Sequence, residues 1–341
     1  MLYFGSDYQE GAHDKVLEAL VRTNLVSSPG YGTDSYSEEA REKIRTACQC
    51  QEADVFFLVG GTQTNATVID AVRRGYQGVI AADTGHIAVH EAGAIEFGGH
   101  KVMTLPHREG KISASQIASL VAAYEADDNR DHTVMPGMVY LSQPTEYGTL
   151  YSKAELTAIS EVCHSHDLFL YVDGARLAYA LAAKDNDVLL PDLAALTDAF
   201  YIGGTKCGLL FGEAVVIPVH DRIPHFFTTV KQHGALLAKG RLSGVQFGAL
   251  FTDNLYFTLG RSAVDFASEL REVLEKKGYV QPMKNTTNQV FVTLPDEQLR
   301  TLSEQVVYGF WEKADSTHTV IRLATSWATT REQMDQLLAL L

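Results

Sequence analysis

Three stretches of this chain hold residues whose types and spacing could do chemistry. The first is Gly60-Gly61-Thr62-Gln63-Thr64-Asn65, directly after the apolar run Asp54 to Val59. Glycines let a backbone approach an anion closely, and the start of a following helix offers free N–H groups at the positive end of its dipole. Such a loop cradles a phosphate. By itself it reads equally as a tight strand–helix turn capped by threonine and asparagine. It is neither a Walker loop nor GxGxxG, so a dinucleotide is not expected. The second stretch ends the run Phe169 to Val172 on Asp173. A carboxylate at a strand end is unusual unless it faces a cation. The third, Tyr201 to Gly208, sets Lys206 between glycines, 33 residues beyond Asp173. Apolar flanks with no nearby carboxylate in sequence desolvate that lysine, which favours its neutral, nucleophilic amine. Alone, either charged residue reads as half of a structural salt bridge.

Together the three are the contacts that pyridoxal phosphate requires. A lysine joins its aldehyde, an aspartate keeps its ring nitrogen protonated, and a cup of amides holds its phosphate.

The elements that must position these groups follow from hydrophobic pattern. Short apolar strands are expected at 54–59, 78–82, 102–105, 138–142, 169–172, 199–202 and 213–217. Helices are expected between them at 38–48, 66–74, 86–94, 113–125 and 153–164. This alternation implies an α/β fold with a mostly parallel sheet flanked by helices. After about residue 250 the texture changes to a helix at 261–277, strand 288–294, helix 297–307, strand 319–324 and helix 331–341. We therefore expect a large domain over 1–250, N-terminal arm included, and a smaller α+β domain over 251–341. In such sheets ligands sit beyond the carboxyl ends of the strands.

Composition narrows the class. The net charge of −14 disfavours generic binding to nucleic acid or anionic membrane. No apolar run is long enough to span a bilayer. Cys48, Cys50, Cys163 and Cys207 form neither a disulfide framework nor a zinc knuckle, which favours a reducing, cytoplasmic setting. His86 and His90 have helical i, i+4 spacing, but no third ligand stands at a suitable spacing, so no metal site is expected.

The same stretches carry a resemblance that runs over essentially the whole chain. Phe4 to Gly11, Tyr31 to Asp34, Gly60 to Asn65, His86 to Ala94, Val172 to Arg176, Thr205-Lys206 and Arg322 to Thr325 resemble, in order and spacing, the threonine aldolase and aromatic amino acid β-eliminating lyase group. The resemblance implies a fold-type I pyridoxal-phosphate enzyme. By it, Lys206 is the cofactor lysine, Asp173 the partner of the ring nitrogen, and Gly61 and Thr62 the phosphate cup. His86 is the histidine stacked on the cofactor ring, and Lys206, His86 and Asp173 are the catalytic set. Arg176 and Arg322 receive the substrate carboxylate with Ser6, since a planar guanidinium fork bonds a carboxylate in two places. Tyr31 and Arg241 reach the site of a neighbouring subunit, Arg241 near the phosphate, so a homo-oligomer is implied, a dimer or a tetramer.

Two departures stand out. The chain opens with Gly5-Ser6-Asp7-Tyr8 where the family often has Arg-Ser-Asp-Thr. Thr145, in Ser142-Gln143-Pro144-Thr145-Glu146, replaces a second active-site histidine, and Thr145 or Glu146 would cover its role toward the substrate. The expected activity is cleavage of L-threonine or L-allo-threonine to glycine and an aldehyde. The alternative is β-elimination or a related lyase reaction on another amino acid. A non-enzymatic or nucleotide-binding α/β protein with a structural Lys206 is a third reading.

Overall fold

The computed structural model describes all residues from 1 to 341. Its strands are β1 (Leu2–Tyr3), β2 (Asp54–Leu58), β3 (Gln77–Ala82), β4 (Val102–Leu105), β5 (Met135–Ser142), β6 (Phe169–Asp173), β7 (Ala199–Gly203), β8 (Glu213–Ile217), β9 (Gln289–Pro295), β10 (Val306–Val307), β11 (Gly309–Lys313) and β12 (His318–Ala324). Seven of them form one sheet in the order β2-β8-β7-β6-β5-β3-β4. Strands β3 to β7 are parallel, and β8 alone runs against its neighbours β7 and β2.

Both faces of this sheet are covered. Strands β6, β7 and β8 are buried at every residue, which is why they read as unbroken apolar runs. Alternate side chains go to opposite faces. Val172, Phe200 and Ile202 enter one core, while Tyr171, Tyr201 and Val215 enter the other.

A second, antiparallel sheet has the order β11-β12-β9. Helices Leu255–Lys276 and Arg331–Leu340 cover it, and Leu270, Leu274, Val292, Ile321 and Leu337 share its core. Leu2 and Phe4 join that core, and β1 pairs with β10. The N-terminal arm thus packs with the smaller sheet, where the sequence grouped it with residues 1–250.

Other boundaries also differ from expectation. Helix Gly61–Val72 begins inside the glycine stretch, so the expected loop is in fact the helix's first turn. The expected helix at 86–94 is split into His86–Val89 and Ala94–Phe97, because Ala92 and Gly93 adopt φ of 52° and 73°. The long C-terminal helix starts at Leu255 and runs through Gly260. A Cβ on Gly260 would lie 2.3 Å from the Ala178 carbonyl oxygen, so glycine there permits close helix packing. The expected helix at 297–307 stops at Leu302, and β10 and β11 follow it.

Candidate active site

The carboxyl ends of the parallel strands open onto a cavity of about 270 Å³. Its wall includes Gly61, Thr62, His86, Thr145, Asp173, Arg176 and Lys206. Two glycines allow the strand ends to meet. A Cβ on Gly174 would lie 2.0 Å from the Tyr201 carbonyl oxygen, and one on Gly203 would lie 2.3 Å from that of Ala175. Lys206 sits in the loop from β7 to β8, and its carbonyl oxygen accepts a 2.5 Å bond from the Tyr179 hydroxyl. Its Nζ makes no hydrogen bond and stands 6.0 Å from the Tyr8 ring centre. Burial, then the positive Arg176, lower its pKa. The sequence expectation of a desolvated amine is met.

Asp173 is buried and surrounded by donors. Its Oδ1 accepts from the Tyr201 hydroxyl at 2.6 Å and the Ala175 N–H at 3.0 Å. Its Oδ2 accepts from the Tyr140 hydroxyl at 2.6 Å and from Asn65 Nδ2 at 3.0 Å. Burial raises its pKa, but His86 and these hydroxyls and amide outweigh burial and hold the carboxyl below its usual range. Asp173 is therefore an anion prepared for a cationic N–H.

His86 opens a short helix on the cavity wall. Its Nδ1 pairs with Glu91 Oε1 at 2.8 Å, and Glu91 Oε1 accepts from Asn65 Nδ2 at 2.7 Å. A buried relay thus joins His86 to Asp173 through Glu91 and Asn65. The backbone N–H of His86 donates to Glu146 Oε1 at 2.9 Å, which also accepts from Ser142 Oγ at 2.7 Å. Burial raises the Glu146 pKa. Thr145 does line the cavity, but its hydroxyl lies 2.6 Å from that of Thr149. At the replaced-histidine position, Glu146 is thus the more available group.

The carboxylate-binding residues are differently placed. Arg176 lies on the wall with its bidentate edge turned to Asp7: Nε donates to Oδ2 at 2.6 Å and Nη2 to Oδ1 at 2.9 Å. Its Nη1 and the second N–H of Nη2, the other edge of the guanidinium, are left for a ligand. Ser6 and Arg322 stand off the wall, beside the segment that carries Tyr8. Arg322 donates to Gln289 Oε1 and to the Gly5 carbonyl, each at 3.0 Å, while its Nε and the Ser6 hydroxyl are buried without partners. Tyr31 and Arg241 are not brought to this cavity within the chain. Tyr31 lies under Lys231, with Nζ 4.7 Å from the ring centre, and Arg241 donates to the carbonyls of Asn24 and Val26.

Sequence reasoning missed Asn65, Glu91, Tyr140, Tyr201 and Glu213 as site residues. Glu213 begins β8 directly opposite Gly203 and accepts from the Gly204 N–H at 3.1 Å. Burial pushes its carboxyl up to about 8. The unfolded carboxyl ionises near 4.5, so between these values the folded state holds the extra proton. Stability then falls as pH rises through that window. Glu213→Gln removes this slope, so the variant should gain on the wild type steadily from pH 5 to pH 8. Denaturant midpoints across that range check it; a pH-independent difference would contradict it.

Comparison with known proteins agrees with this geometry. The β-eliminating lyase family model matches residues 4–297. The chain belongs to the β-eliminating lyase family. This family member is 30% identical to the low specificity L-threonine aldolase of Pseudomonas aeruginosa, over 88% of this chain and 86% of that protein. It is 40% identical to the solved threonine aldolase of Leishmania major, with a TM-score of 0.96, covering 99% of this chain and 98% of that one. At 16% identity and a TM-score of 0.71, the aspartate aminotransferase of Thermus thermophilus shares the fold. The architecture is thus that of fold-type I pyridoxal-phosphate enzymes, and this family member is a lyase.

Proposed function

We propose that this lyase uses pyridoxal phosphate to cleave threonine-type β-hydroxy-α-amino acids into glycine and an aldehyde. The observation that carries the reading is the unpaired Lys206 Nζ sharing one cavity with anionic Asp173 and an uncapped helix start. The residues fit the cofactor. Helix Gly61–Val72 has no side-chain cap at Gly60, so its first amides are free for a phosphate. When bound, the cofactor supplies an electron sink for charge developing at the substrate's Cα.

The chain's own residues do the rest. Lys206 presents a desolvated amine, and Asp173 holds a proton on the ring nitrogen. On the wall, the N–H groups of Arg176 that Asp7 leaves free bind and orient the substrate carboxylate. Arg322 stands behind them and holds the segment that carries Ser6 through the Gly5 carbonyl. Glu91 occupies Nδ1 of His86, which leaves Nε2 to take the β-hydroxyl proton. The threonine aldolase relatives favour carbon–carbon cleavage over elimination. Tyr31 and Arg241 would complete the site of a second copy, so we read the enzyme as at least a dimer. No helix is long and apolar enough to cross a membrane. The four unpaired cysteines suit a reducing compartment, and we place the enzyme in the cytoplasm on that ground.

Incubation of the cofactor-loaded protein with L-threonine and L-allo-threonine should release acetaldehyde and glycine in equal amounts. Ammonia and a keto acid, or no aldehyde from either isomer, would sink the reading. His86→Phe keeps an aromatic ring but removes the proton acceptor, so kcat should fall about 100-fold with cofactor occupancy retained. Steady-state kinetics with the cofactor's absorbance check this; a loss of only a few-fold would reassign the proton to Glu146.

A further inference from the structure

A second cavity, of about 530 Å³, lies where helix Leu255–Lys276 meets the loop 281–286 and the turn holding Lys184 and Asp185. That volume is within the ~300–1,000 Å³ usual for small-molecule sites. Arg271 is on its wall. Arg271 Nη2 donates to Asn285 Oδ1 at 3.0 Å and to the Thr287 carbonyl, while its Nε is buried without a partner. No carboxylate pairs with this guanidinium, and burial alone pushes its pKa down to about 10. Its Nη1 makes no hydrogen bond within the chain. A half-buried, unpaired guanidinium on a cavity wall is costly unless an anion completes it. Asp185, Glu272 and Glu275 line the same cavity, and so do Lys184 and Lys284, so that with Arg271 its wall carries three carboxylates and three cations. A wall with both signs in balance favours a ligand that also carries both.

We propose that this cavity is a regulatory site for a small zwitterion of amino-acid type, with its carboxylate on Arg271 and its ammonium toward the carboxylates of Asp185, Glu272 and Glu275. The groups that Arg271 holds also hold the active-site loop. Asn285 Nδ2 donates to the Tyr147 carbonyl at 3.1 Å, and Thr287 Oγ1 donates to that of Gly148 at 3.1 Å. Tyr147 follows Glu146, which accepts the His86 N–H. Arg271 is therefore two hydrogen bonds from the Tyr147 carbonyl, next in the chain to Glu146 on the wall of the cavity that holds Lys206.

The test titrates cofactor-loaded protein with N,N-dimethylglycine, whose tertiary amine cannot condense with an aldehyde. Calorimetry should show a saturable site in the wild type, weakened at least tenfold in Arg271→Leu. Because Arg271 also braces its loop, Ser268→Phe is the second variant; it fills the cavity and leaves the Arg271 bonds to Asn285 and Thr287 in place. It should lose the same site. Acetate should bind several-fold more weakly than dimethylglycine. Dimethylglycine should change turnover at saturating substrate in the wild type and not in Ser268→Phe. Identical isotherms in the wild type and both variants would overturn the site. Equal binding of acetate would overturn the zwitterion, and unchanged turnover in the wild type would overturn the regulatory role.

Discussion

Lys206→Ala should lower threonine cleavage by about 10³-fold or more while leaving the fold intact. The catalytic loss follows from chemistry: no other side chain on this cavity wall is a primary amine, and removal of a covalent nucleophile is among the costliest single changes. The fold should survive because the Nζ that is deleted has no hydrogen-bond partner to orphan. The residue's structural bond, from the Tyr179 hydroxyl to its carbonyl, belongs to the backbone and persists. Deleting a desolvated amine also removes an energetic cost of folding. The melting temperature without cofactor should thus stay equal or rise. Lys206→Arg is the companion variant: it keeps a cation and lacks a condensable amine, so its activity should be as low. More than a tenth of wild-type turnover in either variant would remove Lys206 from the chemistry.

The largest stability effect is expected at Asp7. This carboxylate is fully buried, takes both prongs of Arg176 and accepts a third bond from Asn288 Nδ2 at 2.9 Å. Asp7→Ala strands the Arg176 guanidinium without a counter-charge, and breaking one partner of a buried pair costs about 3–5 kcal/mol. It should also raise the KM for threonine, since Arg176 then loses its brace on the cavity wall. Burial would raise the Asp7 pKa, but Arg176, then Lys206, bring it down to about 2 from an ordinary 3.8. The folded state therefore binds fewer protons than the unfolded one between those values. Its contribution is complete above about 3.8 and is lost as pH falls through about 2. Asp7→Asn should flatten the acid limb of the stability curve. Urea midpoints at pH 7 and through the acid range measure both effects; a loss under about 1 kcal/mol for Asp7→Ala would show that the pair is not the brace described.

Some of this site could be read directly from the chain. Asp173 and Lys206 each follow an unbroken apolar run, so their strand-end position and desolvation are local properties. The glycine stretch at 60–65 was equally visible, although its residues form the helix's first turn. Asn65, Glu91, Tyr140, Tyr201 and Glu213 were not legible as site residues, because their roles depend on strand order. β6 lies between β5 and β7, and only that order puts Tyr140 and Tyr201 on either side of Asp173. The expected place of Arg176 at the site was legible, but the Asp7 that holds one edge of its guanidinium, 169 residues away, was not. The fold followed a similar rule. Buried strands were found because both faces are apolar, whereas β11 was missed because it is a half-exposed edge strand. The split after His86 rests on positive φ at Ala92, a residue type that gives no warning of it.

The central claim is that the cavity at the strand ends takes its cofactor on Lys206. Borohydride reduction of the pyridoxal-phosphate-loaded protein, followed by digestion and peptide mass mapping, tests it most directly. A single pyridoxyl-phosphate label is expected, on Lys206, with no label in Lys206→Ala. A label on another lysine, or an unlabelled wild type, would contradict it.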